Sequence, residues 1–284
     1  MKKLLAILLA AILCVGLMAG CGQTTIIVNM GGEDEAEETP VATETPENTP
    51  EAAASEAPVV DDTPLPEGQL KTGLAIVSVV SSSSKAASAD ADGLAQADTT
   101  FAAVLVDGDG VIKDCLIDCV QTKIAVSATG EILTAADTAF DSKIVLDDAY
   151  DMRKASPIGA EWDEQANFLA DYVTGKTLDE VKGIAIDDGG KPTDADITTG
   201  CTMNIAEIVT AIENAVANAK VLGAGVDDTL YMNCNAIVSD SSKAASADGD
   251  GNAQADVTVG AYTLDASGVI TSCYLDCVQA KIAV

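Results

Sequence analysis

Strand-forming residues run along Thr100–Val106 ("TFAAVLV"), stop at Asp107–Gly110 ("DGDG") and resume along Val111–Asp118 ("VIKDCLID"). Two β-prone segments around an Asp-Gly turn predict an antiparallel hairpin. Thr122–Thr134 predicts another, closing around Ala128-Thr129-Gly130. Farther on, the apolar spacing lengthens to that of a helix. Glu161–Val173 puts Trp162, Ala166, Leu169, Ala170 and Val173 on one stripe, and Gly175 marks its end. "TLDE" (Thr177–Glu180) has the form of a capping box that opens a short helix. Asn204 is placed to cap a last helix whose stripe is Ile205, Ile208, Val209, Ile212 and Val216. Strands followed by helices predict an α+β fold.

The hairpin pattern occurs twice. Ser81–Val126 returns as Ser239–Val284 at a constant offset of 158 positions (Ser239 against Ser81), without a gap and with 30 of 46 residues identical. So long a period predicts duplicated domains and not a solenoid. One unit spans 70–220; the second, 223–284, is predicted to be an incomplete copy, because nothing in it matches Trp162 or Thr202. Strands without their covering helices would leave apolar sheet surface bare, so a chain ending near Lys220 is predicted to be no less stable, and more soluble, than the full one.

The N-terminus reads differently. Met1-Lys2-Lys3 precedes an apolar run, Leu4–Leu17, and then "LMAGC" (Leu17–Cys21), in which small residues lead to a cysteine. This resembles a bacterial lipobox, with Met18 where Leu is more usual. The resemblance implies a signal peptide over 1–20, lipid on Cys21 and an extracytoplasmic protein anchored to the cell membrane. Residues 21–69 form the anchor and a spacer rich in Glu, Thr, Pro and Ala, predicted to be disordered because it cannot bury enough apolar surface to offset its ordering entropy.

Composition narrows the chemistry. Formal net charge is −30 over 284 residues, which opposes binding to nucleic acid. The chain has no histidine, which removes Ser-His-Asp and Cys-His catalysis and His-ligated zinc or haem. No acid–base constellation is visible, so no catalytic residue is assigned and an enzyme with its own substrate is disfavoured. Asp90, Asp92 and Gly93, with Asp248, Asp250 and Gly251, suit either a solvated turn or a calcium loop; Ser88 and Thr99 occupy places where an EF-hand needs carboxylates. "GKT" (Gly175–Thr177) lacks the first glycine of a phosphate loop, Ala170 standing there, and is read as a helix stop and start. Cys115 and Cys119, repeated as Cys273 and Cys277, are four apart. On one strand their Cα atoms would lie roughly 13 Å apart, too far to pair without a turn. They read as small hydrophobes, with pairing and redox roles as alternatives; no metal site is assigned.

One stretch carries more specific information. Asp196-Ile197-Thr198-Thr199-Gly200-Cys201-Thr202 resembles D-x-x-[ST]-G-A-T, the pattern at which flavin transferases attach FMN to threonine, with Cys201 in the place of Ala. The pattern belongs to the FMN-binding domain of sodium-pumping NADH:quinone reductase, of Rnf-type complexes and of Gram-positive lipoproteins serving extracellular electron transfer. The resemblance spans about Gly73–Lys220 and implies covalent FMN, joined by a phosphoester to Thr202, with Gly200, Thr199 and Asp196 completing the site. It also implies a flavin transferase and a membrane redox donor as partners. Such a phosphate would sit at a helix N-terminus, where free N–H groups favour an anion and Gly200 allows close backbone approach. The alternatives are a non-covalent flavin and a flavin-free surface module in which Thr198, Thr199 and Asn204 only cap a helix.

Overall fold

The computed structural model describes residues 64–246 and 249–284. The lipobox, Cys21 and nearly all of the acidic spacer lie outside them, as does Asp248. Eight strands and five α-helices follow in the order β1 (Gln69–Val80), β2 (Gly93–Val106), β3 (Ile112–Val126), β4 (Ala139–Phe140), α1 (Lys143–Leu146), α2 (Trp162–Val173), α3 (Leu178–Lys182), α4 (Ala195–Thr198), α5 (Ala206–Ala217), β5 (Lys220–Gly225), β6 (Thr229–Val238), β7 (Asn252–Leu264) and β8 (Ile270–Ala283). The strands form two antiparallel sheets, β3-β2-β1-β5 and β4-β6-β7-β8. The architecture is thus mixed sheet and helix, with strand predominating.

Sheet one has different company on its two faces. Ala102, Val104, Val106, Cys115, Ile117 and Cys119 point toward the helices and bury against Trp162, Leu169 and Val173 of α2 and Ile208, Ile212 and Ala215 of α5. Leu74, Phe101, Ala103, Leu105 and Val120 point the other way and bury against Leu230, Val257, Val259, Ala261 and Val278 of sheet two. Coverage on both faces explains why β2 is buried at nearly every position. Where α5 crosses β1, Gly73 leaves the space: a Cβ there would overlap the Ala215 carbonyl oxygen. Gly73→Ala is therefore expected to lower stability by about 1–3 kcal/mol, the usual cost of forcing extra volume into a packed contact. A denaturant midpoint equal to the parent's would show that α5 shifts freely.

The two hairpins are built alike. Gln96 Nε2 donates to Ser81 Oγ (3.1 Å) and Asp98 Oδ1 (2.7 Å), and Gln254 Nε2 donates to Ser239 Oγ (3.0 Å) and Asp256 Oδ1 (2.7 Å). The turn at Asp107 is closed by its Oδ1 accepting from the Val111 amide at 2.9 Å, as Asp265 does for Val269 at 2.9 Å. The match extends to strands whose sequences have diverged: Leu74 pairs with Ala103 as Met232 pairs with Ala261. Equivalent positions also meet in the core. Ala95, Ala97 and Ile124 pack in one cluster with Ala253, Ala255 and Ile282, so the inner faces resemble an isologous interface within one chain. A polar bridge joins the same faces, Thr72 Oγ1 to Ser272 Oγ at 2.8 Å.

This packing revises one expectation. The second hairpin covers the inner face of the first sheet, so removing it would bare Leu74, Phe101 and Leu105. The anticipated bare surface does exist, but on the opposite face: Ile117, beneath the helices, is 2% exposed, whereas its equivalent Leu275 is 63% exposed.

The Asp107–Gly110 turn, α2 and α3 form as predicted, and both helices open with reciprocal capping boxes, Glu161 with Glu164 and Thr177 with Glu180. After Ser127–Gly130 the chain turns back, but it makes only a bridge, Val126 to Ile132, and no second strand. Asn204 does not take the cap position of α5: Ile205 does, without a side-chain capping bond, and Asn204 Oδ1, one residue earlier, accepts from the Ala206 amide at 2.9 Å. Among the described residues, no helix is long and apolar enough to cross a membrane.

Candidate functional site

Asp194 caps α4, its Oδ1 accepting from the Asp196 amide at 2.8 Å. The four residues that follow make one tight turn, whose end carries two of the three candidate hydroxyls. Thr198 Oγ1 donates to the Ala195 carbonyl (3.2 Å) and Thr199 Oγ1 to the Asp196 carbonyl (2.9 Å). Both hydroxyls are therefore committed to the turn that carries them, and they do not cap α5. Asp196 and Thr199 are exposed.

Gly200 sits under an aromatic ring. A Cβ there would overlap Phe168 of α2, so the absent side chain makes room for that ring. Its role differs from the expected one, since the close approach is between this backbone and Phe168. Cys201 follows at 0% exposure, in the core with Ile197 and Trp162. Burial pushes its thiol up to about 11, so at neutral pH it is the protonated, unreactive form. Burial likewise raises Cys115 and Cys119, both unpaired thiols on β3. Native protein at neutral pH is expected to leave these three thiols unalkylated by iodoacetamide over a time that labels them fully in denaturant. Rapid native labelling of Cys201, read by peptide mass, would contradict this burial.

Thr202 is half-buried and differs from its neighbours. Its hydroxyl makes one long hydrogen bond, 3.4 Å to Gln165 Oε1, and none to a main-chain carbonyl. Gln165 Oε1 also accepts from the backbone amides of Thr202 (2.8 Å) and Met203 (3.2 Å), while its Nε2 donates to Ser156 Oγ and the Ala160 carbonyl at 3.2 Å each. Fully buried on α2, Gln165 thus fixes where Thr202 stands. The Ile205 amide donates to the Gly190 carbonyl at 2.8 Å and the Ala206 amide is taken by Asn204. The expectation of free N–H groups beside Thr202 is corrected accordingly: its own amide and those of Met203, Ile205 and Ala206 all have partners within the protein. Gln165→Leu would orphan two partly buried donors, the Thr202 and Met203 amides, and is expected to cost about 1–3 kcal/mol. An unchanged chemical-denaturation midpoint would remove Gln165 from the site.

Sequence reading missed Gln165 and Phe168, and for the first a signal was present. Gln165 falls on the apolar stripe of α2, between Trp162 and Leu169, where a polar residue needs a reason. Phe168 gave none, because it lies off that stripe.

Beside the site, a cavity of about 400 Å³ lies between sheet one and the helices, with Asp98, Lys143, Trp162, Asn204 and Glu207 among its lining. Thr202 itself does not line it. The Lys143 ammonium lies 4.8 Å from the centre of the Tyr150 ring and 4.9 Å from that of Trp162. Among the described residues no cluster of three or more Cys, Asp or Glu side chains is arranged to hold a metal. Comparison with protein-family models, with curated proteins and with solved structures returned no match.

Proposed function

We propose that this chain is a lipid-tethered, extracytoplasmic flavoprotein that carries FMN as a phosphoester on Thr202 and passes electrons between a membrane donor and an outside acceptor. The observation that carries the reading is the contrast among three hydroxyls. Thr198 and Thr199 are spent on main-chain carbonyls, whereas Thr202, the one at the acceptor place of the motif, is half-exposed and bound only by a 3.4 Å contact. A transferase needs a hydroxyl that can be approached and whose proton is not locked away. Gln165 and Phe168 hold the backbone on either side of it, so the acceptor is presented on a fixed support. Asp196, exposed at the start of α4, is available to a transferase that reads the motif.

The residues fit the attachment and not the anion cradle. With the neighbouring amides engaged, a phosphate on Thr202 would be met by solvent on the outer side and by Gln165 on the inner. Bound FMN supplies one- and two-electron redox chemistry that no side chain here offers. The protein's part is to hold the attachment point, and through Cys21 and the spacer to keep it near a membrane. The two hairpins, alike in hydrogen bonding at an offset of 158 positions, support descent from a duplicated FMN-binding-like unit.

A second reading has its own observation. The satisfied amides suit a flavin-free, surface-anchored binding module descended from the same unit. Coexpression with a flavin transferase and an FMN donor separates them: the first reading requires covalent flavin fluorescence on a denaturing gel, the second its absence.

A further inference from the structure

On sheet one the outer face lies under α2 and α5; on sheet two the equivalent face is open, Leu275 being 63% exposed where Ile117 is 2%. The repeat, at its offset of 158 positions, shows that this face has been rebuilt. Gly73 leaves the space in which α5 crosses, and its equivalent is Tyr231, whose ring would block such a crossing. Ala75 and Val77, packed under the helices, become Asn233 and Asn235, and Val104 becomes Tyr262. The new residues form one arrangement. Tyr231 and Tyr262 stand directly opposite on β6 and β7, and their rings stack with centroids 5.4 Å and planes 14° apart. Asn233 Nδ2 donates to the Tyr262 hydroxyl at 3.0 Å. Tyr231 and Asn233 also border a cavity of about 380 Å³ whose lining includes Asp118, Asp141 and Ser142.

Charge and chemistry select the ligand. Tyr231, Asn233, Asn235, Thr258, Tyr262 and Leu275 carry no formal charge, on a chain of net −30. A polyanion meets repulsion from the whole chain, and a polycation is drawn to its acidic surfaces and not to this face. A neutral sugar ring presents C–H groups on its face and hydroxyls around its rim. The C–H face fits against an aromatic ring, which is negative over its own face. The rim hydroxyls both donate and accept, as an amide does, and Asn233 has a second N–H and a carbonyl oxygen to offer. Because the two rings and the amide already hold one another, little order remains to be imposed on binding. We propose that the Tyr231–Tyr262 face, with the cavity beside it, is a binding site for a neutral glycan. Tyr231 is its stacking ring and Asn233 its hydrogen-bonding amide. β-Linked glucans, whose hydroxyls are all equatorial, present the flattest C–H face to such a ring. The first copy has no such site, since Gly73 and Val104 stand where the rings would be.

Native electrophoresis of the full-length chain, in gels with and without hydroxyethyl cellulose, tests the site with a neutral β-linked glucan. Retardation is expected for the parent and equally for Thr202→Ala. Tyr231→Ala is expected to weaken binding roughly tenfold, since it removes the stacked ring. Carboxymethyl cellulose, the same backbone made anionic, is expected to retard the parent less. An unretarded parent, an unchanged Tyr231→Ala, or equal retardation by the anionic polymer would each overturn the proposal. Should Tyr231→Ala melt unlike the parent, protection of Tyr231 from iodination by cellohexaose, mapped by peptide mass on the parent, decides instead; no protection sinks it. A protein bound through this face, with no glucan retardation, would also overturn the proposal and make the face a protein interface. The outcome is independent of flavin. An adduct on Thr202 without glucan binding removes only this site, and glucan binding without an adduct leaves it standing.

Discussion

A chain ending at Lys220 is expected to lose its cooperative melting transition and to appear mainly in the insoluble fraction. The cut removes sheet two, and with it the partners of Leu74, Phe101, Ala103, Leu105 and Val120. Leu230, Val257, Val259 and Val278 are all nearly inaccessible in the intact chain. Burial of each such side chain stabilises by about 1.5–3 kcal/mol. Four of them already match much of the roughly 5–15 kcal/mol that holds a domain folded. The cut also deletes nearly all of β5, which pairs with β1, leaving that strand as a new sheet edge. Calorimetry of the two chains decides the matter. A truncated chain that melts as sharply and as high as the parent would mean that the sheets fold independently and that their contact adds little.

Thr202→Ala is expected to abolish covalent flavin completely while leaving the fold intact. The variant loses one hydroxyl whose only bond is 3.4 Å long, and it keeps the amide that donates to Gln165. Such a loss is worth at most about 1 kcal/mol, or a melting shift of roughly 2–4 °C for a domain of this size. Thr199→Ala is expected to reduce labelling without ending it, since that hydroxyl is tied to the Asp196 carbonyl and shapes the turn that precedes the acceptor. Asp196→Asn is expected to slow modification and to leave stability unchanged, as the side chain is exposed. In-gel flavin fluorescence of the three variants, beside their melting curves, separates the roles. A labelled Thr202→Ala band would move the attachment elsewhere.

Much of the local structure could be read from sequence because the signals were themselves local. The Asp107–Gly110 turn marked the first hairpin, the Thr177 box and the stripe from Trp162 to Val173 marked two helices, and the repeat carried the hairpin over to the second copy, whose turn is Asp265–Gly268. The strand β1 escaped notice because "LAIVSVV" is apolar nearly throughout, a consequence of its burial between helices and a second sheet, which erases alternation. The partnership of the two sheets escaped for a related reason. Positions 102, 115 and 117 of the first copy and their equivalents 260, 273 and 275 in the second carry similar small or apolar residues. Whether such a face meets helices or solvent is settled by what else the chain brings to it. The motif Asp196–Thr202 was legible as a pattern, but its physical reading was not. The glycine serves Phe168 and the amides serve Gln165, two contacts made by a helix some 35 residues earlier in the chain, Gln165 and Thr202 being 37 apart.

The central claim is that Thr202 is a flavin acceptor, and intact-mass analysis of the parent chain tests it most directly. Protein made together with a flavin transferase and a supply of FMN donor is expected to gain the mass of one FMN less one water, with the added mass on the peptide that contains Thr202. Protein made without the transferase is expected to show no gain. A parent chain that shows no adduct in the presence of a transferase active on another substrate would contradict the claim, and would assign this fold to a surface module that holds no covalent flavin.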